Sequence, residues 1–86
     1  MKVARTVRFK KAWEQLTKGE KALTRKAMAN LAMNLRYPSL RVKKIKGTEN
    51  IWEARAGLSL RITFEIEGNT IILRNIGRHD ETLERP

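Results

Sequence analysis

With 86 residues, 41% of them hydrophobic, and no cysteine, the chain can build one modest core, and neither disulfides nor thiolate metal sites can reinforce it. No apolar run nears the roughly 20 residues of a membrane-spanning helix, and the charges within MKVARTVRFKKAW break up any secretory leader, so a cytoplasmic location is expected. The net charge of +10 is one-sided, since residues 1–50 hold 14 Lys/Arg against three Glu, while residues 51–86 hold five Lys/Arg against six Asp/Glu. Such a balance exceeds what solubility requires and attracts polyanions, nucleic acid foremost.

Val3, Arg5, Val7 and Phe9 alternate with Ala4, Thr6 and Arg8, which predicts an N-terminal strand. From Lys10 the period changes. Phe9, Trp13 and Leu16 stand at helical spacing, giving a short helix that stops near Thr17-Lys18-Gly19. Thr17 and Glu20 have the spacing of a capping box, which opens a second helix running to about Arg36. Its stripe is Leu23, Ala27, Leu31 and Leu35, with Met28 and Ala32 beside it. Tyr37-Pro38-Ser39 ends it, because a proline pushes its predecessor out of the helical region. The two helices read as a hairpin.

The remainder reads as sheet. LRVKKIK is a strand candidate, followed by a turn at Gly47-Thr48-Glu49-Asn50. In IWEARA, Trp52, Ala54 and Ala56 alternate with Glu53 and Arg55. In the next segment, Leu60, Ile62, Phe64 and Ile66 alternate with Arg61, Thr63 and Glu65. Glu67-Gly68-Asn69 closes a hairpin into TIILRNI. Gly47, Gly57, Gly68 and Gly77 read as turn residues. The expectation is a single α+β domain over residues 1–86, with an N-terminal strand, a two-helix hairpin and then a four-stranded antiparallel sheet.

One face of that sheet must cover the hairpin, so Leu60, Ile62 and Phe64 belong to the core. The other face carries Glu53, Arg55, Arg61, Thr63 and Glu65. A site borne by strands is held more rigidly than one on loops. His79, directly before Asp80, is the only histidine. One His without Cys is too few ligands for zinc, and no other cofactor is implied. A serine or cysteine triad lacks its nucleophile context, and no Gly-rich phosphate loop occurs. Metal-free phosphodiester chemistry remains open. Lys and Arg can hold the phosphate and stabilise the transition state, and histidine suits proton transfer near neutrality. The residues available are Lys43, Lys44, Lys46, Arg55, Arg61, Arg74, Arg78 and His79.

The ordered set LRVKKIKG, IWEARAG, LRITFEI and IILRNIGRHDETL resembles the RelE/ParE superfamily of toxins from toxin–antitoxin modules, over nearly the whole chain. The resemblance implies a helix hairpin on a twisted antiparallel sheet. It also implies a ribosome-dependent mRNA endonuclease that works without a metal. By position, Lys46 matches a residue placed at the phosphate, and Arg61 the arginine that stabilises the transition state. His79 matches the catalytic histidine of YafQ-type members, the general acid on the leaving 5′-oxygen. Lys43, Lys44 and Arg55, with Arg74 and Arg78, would bind the RNA backbone. Asp80 would cap the turn or orient the imidazole. The chain departs from RelE itself in having Ile51 and Glu53 at a lysine pair, and Arg85 at a C-terminal tyrosine. The implied partners are an acidic, amphipathic antitoxin, the ribosome and mRNA, and operator DNA only through the antitoxin complex; no membrane is implied. Alternatives are a ParE-like inhibitor of DNA gyrase and an RNA- or antitoxin-binding module without catalysis.

Overall fold

Thr6 decides where the chain leaves its first strand. In the computed structural model, which describes residues 1–86, the Thr6 hydroxyl accepts the Phe9 amide (3.1 Å) and donates to the Leu73 carbonyl (2.9 Å). Strand β1 (Lys2–Arg5) therefore ends early, and helix α1 (Val7–Glu14) begins at Val7 rather than from Lys10. Helix α2 (Lys18–Met33) opens with the expected capping box: Thr17 N–H donates to Glu20 Oε1 (2.8 Å), and Glu20 N–H to Thr17 Oγ1 (3.1 Å). It closes at Asn34, short of the expected Arg36, because Asn34 turns extended and its side-chain oxygen accepts the Arg36 amide. The buried stripe is Thr24, Ala27 and Leu31. Leu23, expected in that stripe, is 46% exposed.

A 3₁₀ turn over Pro38–Leu40 follows, with Arg41 as its cap in the left-handed region at φ 45°. For a residue with a Cβ this conformation costs about 1–2 kcal/mol. The strand expected over LRVKKIK shrinks to β2 (Lys43–Lys44), an edge strand with a single neighbour and little to pair against. Strands β3 (Trp52–Arg55), β4 (Leu60–Glu67) and β5 (Thr70–Arg78) lie where the alternation predicts. The sheet order is β1-β5-β4-β3-β2; β1 runs parallel to β5, and the other pairs are antiparallel. Gly68, at φ 59°, starts the two-residue β4–β5 turn, a place where only glycine escapes strain.

Phe9, Ala27, Leu31, Leu40, Ala54, Ile62, Phe64, Ile71, Leu73 and Ile76 form the core between the helices and one face of the sheet. Fully burying a side chain such as Phe64 contributes about 1.5–3 kcal/mol. Leu73 and Ile76 both reach this core despite their odd separation. A bulge achieves this: Thr63 pairs with Asn75 but Phe64 with Leu73, leaving Arg74 as the extra residue. No helix is long and apolar enough to cross a membrane.

The chain closes with a short helix, α3 (His79–Glu84), where the sequence pattern gave no helix. Its apolar content is too small to show a period. Asp80 and Glu81 in its first turn favour it through the helix dipole. Helix α3 lies against β4 and β5 with Thr82 buried, on the side away from the hairpin. Gly77 makes this close approach possible, and it is a strand residue of β5 rather than the expected turn residue. A Cβ on Gly77 would stand 2.8 Å from Thr82 Oγ1. We expect Gly77→Ala to cost about 1–3 kcal/mol in urea denaturation. Most of that loss should be recovered when Thr82→Ala is added; equal losses in the two backgrounds would show that α3 is not seated there.

Candidate active site on the polar face of the sheet

Directly paired residues of neighbouring strands share a face, so the register aligns the polar face in rows. One row runs Lys43–Glu53–Thr63–Asn75, and the next runs Arg55–Arg61–Gly77. Charged groups on three strands thus converge on a small patch, without any loop having to place them. Glu53 and Arg61 are its centre. Their Oε1 and Nε atoms lie 3.9 Å apart, with side chains only 9% and 16% exposed. Arg61 Nη1 also donates to the Gly57 carbonyl (3.1 Å) and the Leu60 carbonyl (2.9 Å). The guanidinium is thereby locked in place, and its Nη2 edge makes no hydrogen bond within the protein. Arg55, the cross-strand neighbour of Arg61, donates from Nε to the same Gly57 carbonyl (3.4 Å).

The end of the chain folds over the β4–β5 half of this face. Thr63 Oγ1 donates to the Pro86 carbonyl (2.9 Å), as does Arg74 Nε (3.2 Å). Asn75 Nδ2 donates to the Arg85 carbonyl (3.1 Å), which also accepts from the Arg8 guanidinium. What stays open is the β2–β3–β4 side, with Lys43, Glu53, Arg55 and Arg61.

The other residues singled out in the sequence are not in contact with this centre. Lys46 is exposed in the turn after β2. Lys44 pairs with Trp52 and so faces the opposite side from Lys43. Arg74 is committed to Glu65 (2.6 Å) and to the Pro86 carbonyl. Arg78 is exposed, caps α3 and is opposite Leu60, not on the Arg61 row. His79 heads α3. Its amide donates to the Ser59 carbonyl (2.7 Å), which anchors it to the start of β4, and its ring is 48% exposed with Nδ1 3.0 Å from Asp80 Oδ1. Asp80 is 97% exposed, so it holds the ring orientation with only a weak, solvated contact. No group of three His, Cys, Asp or Glu side chains converges anywhere in the chain.

Glu53 lies on the polar face where period-two spacing puts it, but neither that spacing nor its departure from a lysine position assigns it a role at the site. Its signal was the alternation with Trp52 and Ala54, which puts an acid on the same face as Arg61. The cationic excess lies elsewhere. Helices α1 and α2 carry Lys10, Lys11, Lys18, Lys21, Arg25 and Lys26, with Lys21 and Arg25 stacked over Trp13 at 5.9 and 5.2 Å.

This architecture recurs among solved structures. The toxin–antitoxin complex of RelB and RelE from Methanococcus jannaschii matches at a TM-score of 0.78 and 22% identity, covering 96% of this chain and 99% of that one. The fold is that of the RelE/ParE-like toxins. A metal-bound toxin from Helicobacter pylori matches this RelE-like chain at 0.76 and 25% identity, over 94% of this chain and 97% of the other. YafQ from Escherichia coli matches at 0.72 and 12% identity, over 93% and 94%. No family model and no curated protein matches the sequence.

Within this RelE-like sheet, Arg61 has a structural part to play. Its removal strands a nearly buried carboxylate and takes one donor from each of the Gly57 and Leu60 carbonyls. We expect Arg61→Ala to lower stability by about 2–4 kcal/mol in thermal or urea melts, and Arg61→Lys by less. Loss of activity in Arg61→Ala then mixes folding with chemistry, whereas His79, at the surface, can be replaced cleanly. A change below about 0.5 kcal/mol in Arg61→Ala would contradict this assignment.

Proposed function

We propose that this chain is the toxin of a toxin–antitoxin pair and that it cleaves mRNA on the ribosome by metal-free attack of the 2′-hydroxyl. The observation that carries the reading is the Arg61–Glu53 pair: a cation locked by two carbonyls beside a nearly buried carboxylate, on an otherwise open polar face. The RelE-like fold supports the toxin role, since its solved counterparts include RelE, YafQ and complexes of RelE with RelB.

In this reaction the 2′-oxygen attacks phosphorus while its proton passes to the Glu53 carboxylate. Arg61 stabilises the charge on the phosphorane through its free Nη2 edge. The P–O5′ bond breaks, and the leaving 5′-oxygen takes a proton from His79, giving a 2′,3′-cyclic phosphate and a 5′-hydroxyl. The Nδ1–Asp80 contact leaves Nε2 of His79 as the atom that donates. Lys46 meets the phosphate from the turn after β2, Lys43 and Arg55 guide the RNA backbone along the open side, and Lys44, on the other face of β2, adds only to the positive charge of that edge. Arg78, opposite the core residue Leu60, lies outside that track, while Arg74 holds the chain end in place. The cytoplasm, where ribosomes and mRNA are found, is the compartment for this activity, and an acidic antitoxin is the partner that silences it.

The test is primer extension on a message translated in a purified system, with wild type, His79→Ala and Glu53→Gln side by side. Ribosome-dependent cuts should appear with wild type and fall by about 100-fold or more in each variant, with melting temperatures unchanged for His79→Ala. Intact message with wild type overturns the reading. Full activity in Glu53→Gln removes the carboxylate from the mechanism.

A further inference from the structure

The residues that join β3 to β4, 56–59, form no regular element, and their own side chains do not hold them down: Leu58 is 86% exposed and Ser59 lies at the surface. Yet groups from three elements hang on the carbonyls of this stretch and of the strand residue after it. The Gly57 carbonyl accepts from Arg55 Nε of β3 (3.4 Å) and from Arg61 Nη1 of β4 (3.1 Å), besides the Leu60 amide (3.4 Å). The Leu60 carbonyl accepts again from Arg61 Nη1 (2.9 Å), and the Ser59 carbonyl accepts from the amide of His79 at the head of α3 (2.7 Å). Arg55 and Arg61 are cross-strand partners, and like charges directly opposite one another repel. Glu53 meets only Arg61, and Arg55 pairs with no carboxylate. The Gly57 carbonyl is the acceptor that the two guanidiniums share.

Leu23 of α2 seats the connection. A Cβ on Gly57 would stand 3.2 Å from Leu23 Cδ1 and 3.6 Å from Leu60 Cδ1. Gly57 is not among the residues at positive φ, so its place calls for glycine by want of room and not by backbone conformation. We propose that residues 56–59, seated on Leu23 through Gly57, are the positioning element of the site, and that they fix the spacing between the Arg55–Arg61 pair and His79. Gly57 and Leu23 are positioning residues: they act through the two arginines and the histidine. The catalytic half of this proposal rests on the nuclease reading, in which the distance from Arg61 to the proton donor His79 sets the rate; the structural half does not.

The test is Gly57→Ala, made in wild type and in Leu23→Ala. The added methyl displaces the connection by a few tenths of an ångström where Leu23 stands, and finds room where it does not. In single-turnover cutting of a message on stalled ribosomes, Gly57→Ala should slow the cut at saturating protein by about 10-fold in wild type and by less than about twofold in Leu23→Ala. The half-saturating concentration and the melting temperature should not follow the rate, which separates positioning from loss of binding or of fold. Equal slowing in the two backgrounds, or slowing matched by a fall in melting temperature, would overturn the catalytic half. Hydrogen exchange in the free protein reads the same linkage without any cleavage. The His79 amide and the Arg55 Nε–H should exchange about 10-fold faster in Gly57→Ala, and at the wild-type rate once Leu23→Ala is added. Unchanged exchange in Gly57→Ala would overturn the positioning element itself. The expected exchange in a protein whose wild type cuts nothing would instead sink the nuclease reading and uphold the structural half.

Discussion

Strand β4 is covered on both faces, and the rest of the molecule depends on how each cover is built. On one side the helix hairpin buries Ile62 and Phe64; on the other, α3 and the chain end reach Thr63. The second cover demands a strand neighbour without a side chain, which Gly77 supplies beneath Thr82. Closing only half of the polar face leaves Arg61 in a particular state. It is shielded enough for its electrostatics to exceed those of a surface arginine, yet it is open toward β2 and β3. The Glu53 carboxylate beside it is a cost of burial that a purely structural sheet has no reason to bear, since apolar residues would pack as well or better.

Charge in this chain is divided by role. The excess of lysine and arginine lies on the hairpin and the β2 edge, where screening by salt leaves it a steering influence rather than a binding geometry. The polar face is close to balanced, with Glu53 and Glu65 against Lys43, Arg55, Arg61 and Arg74, and with acidic residues of α3 beside it. The ribosome proposed as its target is a polyanion, which such a surface would meet from many directions. The balanced patch is what can discriminate among phosphates, because its arginines, Arg55, Arg61 and Arg74, are fixed by carbonyls rather than free on long side chains.

The parts of the fold legible in the sequence are those governed by local physics. The Thr17–Glu20 box, the alternation through β3 and β4, and the β4–β5 turn at Gly68 stood out because each needs only neighbours along the chain. The parts that were not legible depend on distant partners. Thr6 ends β1 through a carbonyl of β5, 67 residues away. The parallel seat of β1 beside β5, the closure by α3, and the exposure of Leu23 depend likewise on what the chain meets after folding. At the site, Arg61 and its face followed from period-two spacing. That Glu53 is its partner, and that Arg74 is spent on Glu65, required the register and the bulge after Thr63.

The central claim is that RNA is engaged on the open half of the polar face and not on the more basic hairpin. Titrating the uniformly 15N-labelled protein with a 2′-deoxy trinucleotide, which binds without being cut, separates the two in one amide-correlation NMR experiment. The account predicts that Glu53, Arg55, Gly57, Arg61 and His79 shift together and saturate, while amides of Lys18–Lys26 drift in proportion to ligand without saturating. Saturable shifts confined to α1 and α2, with Arg61 and its neighbours unmoved, would contradict it.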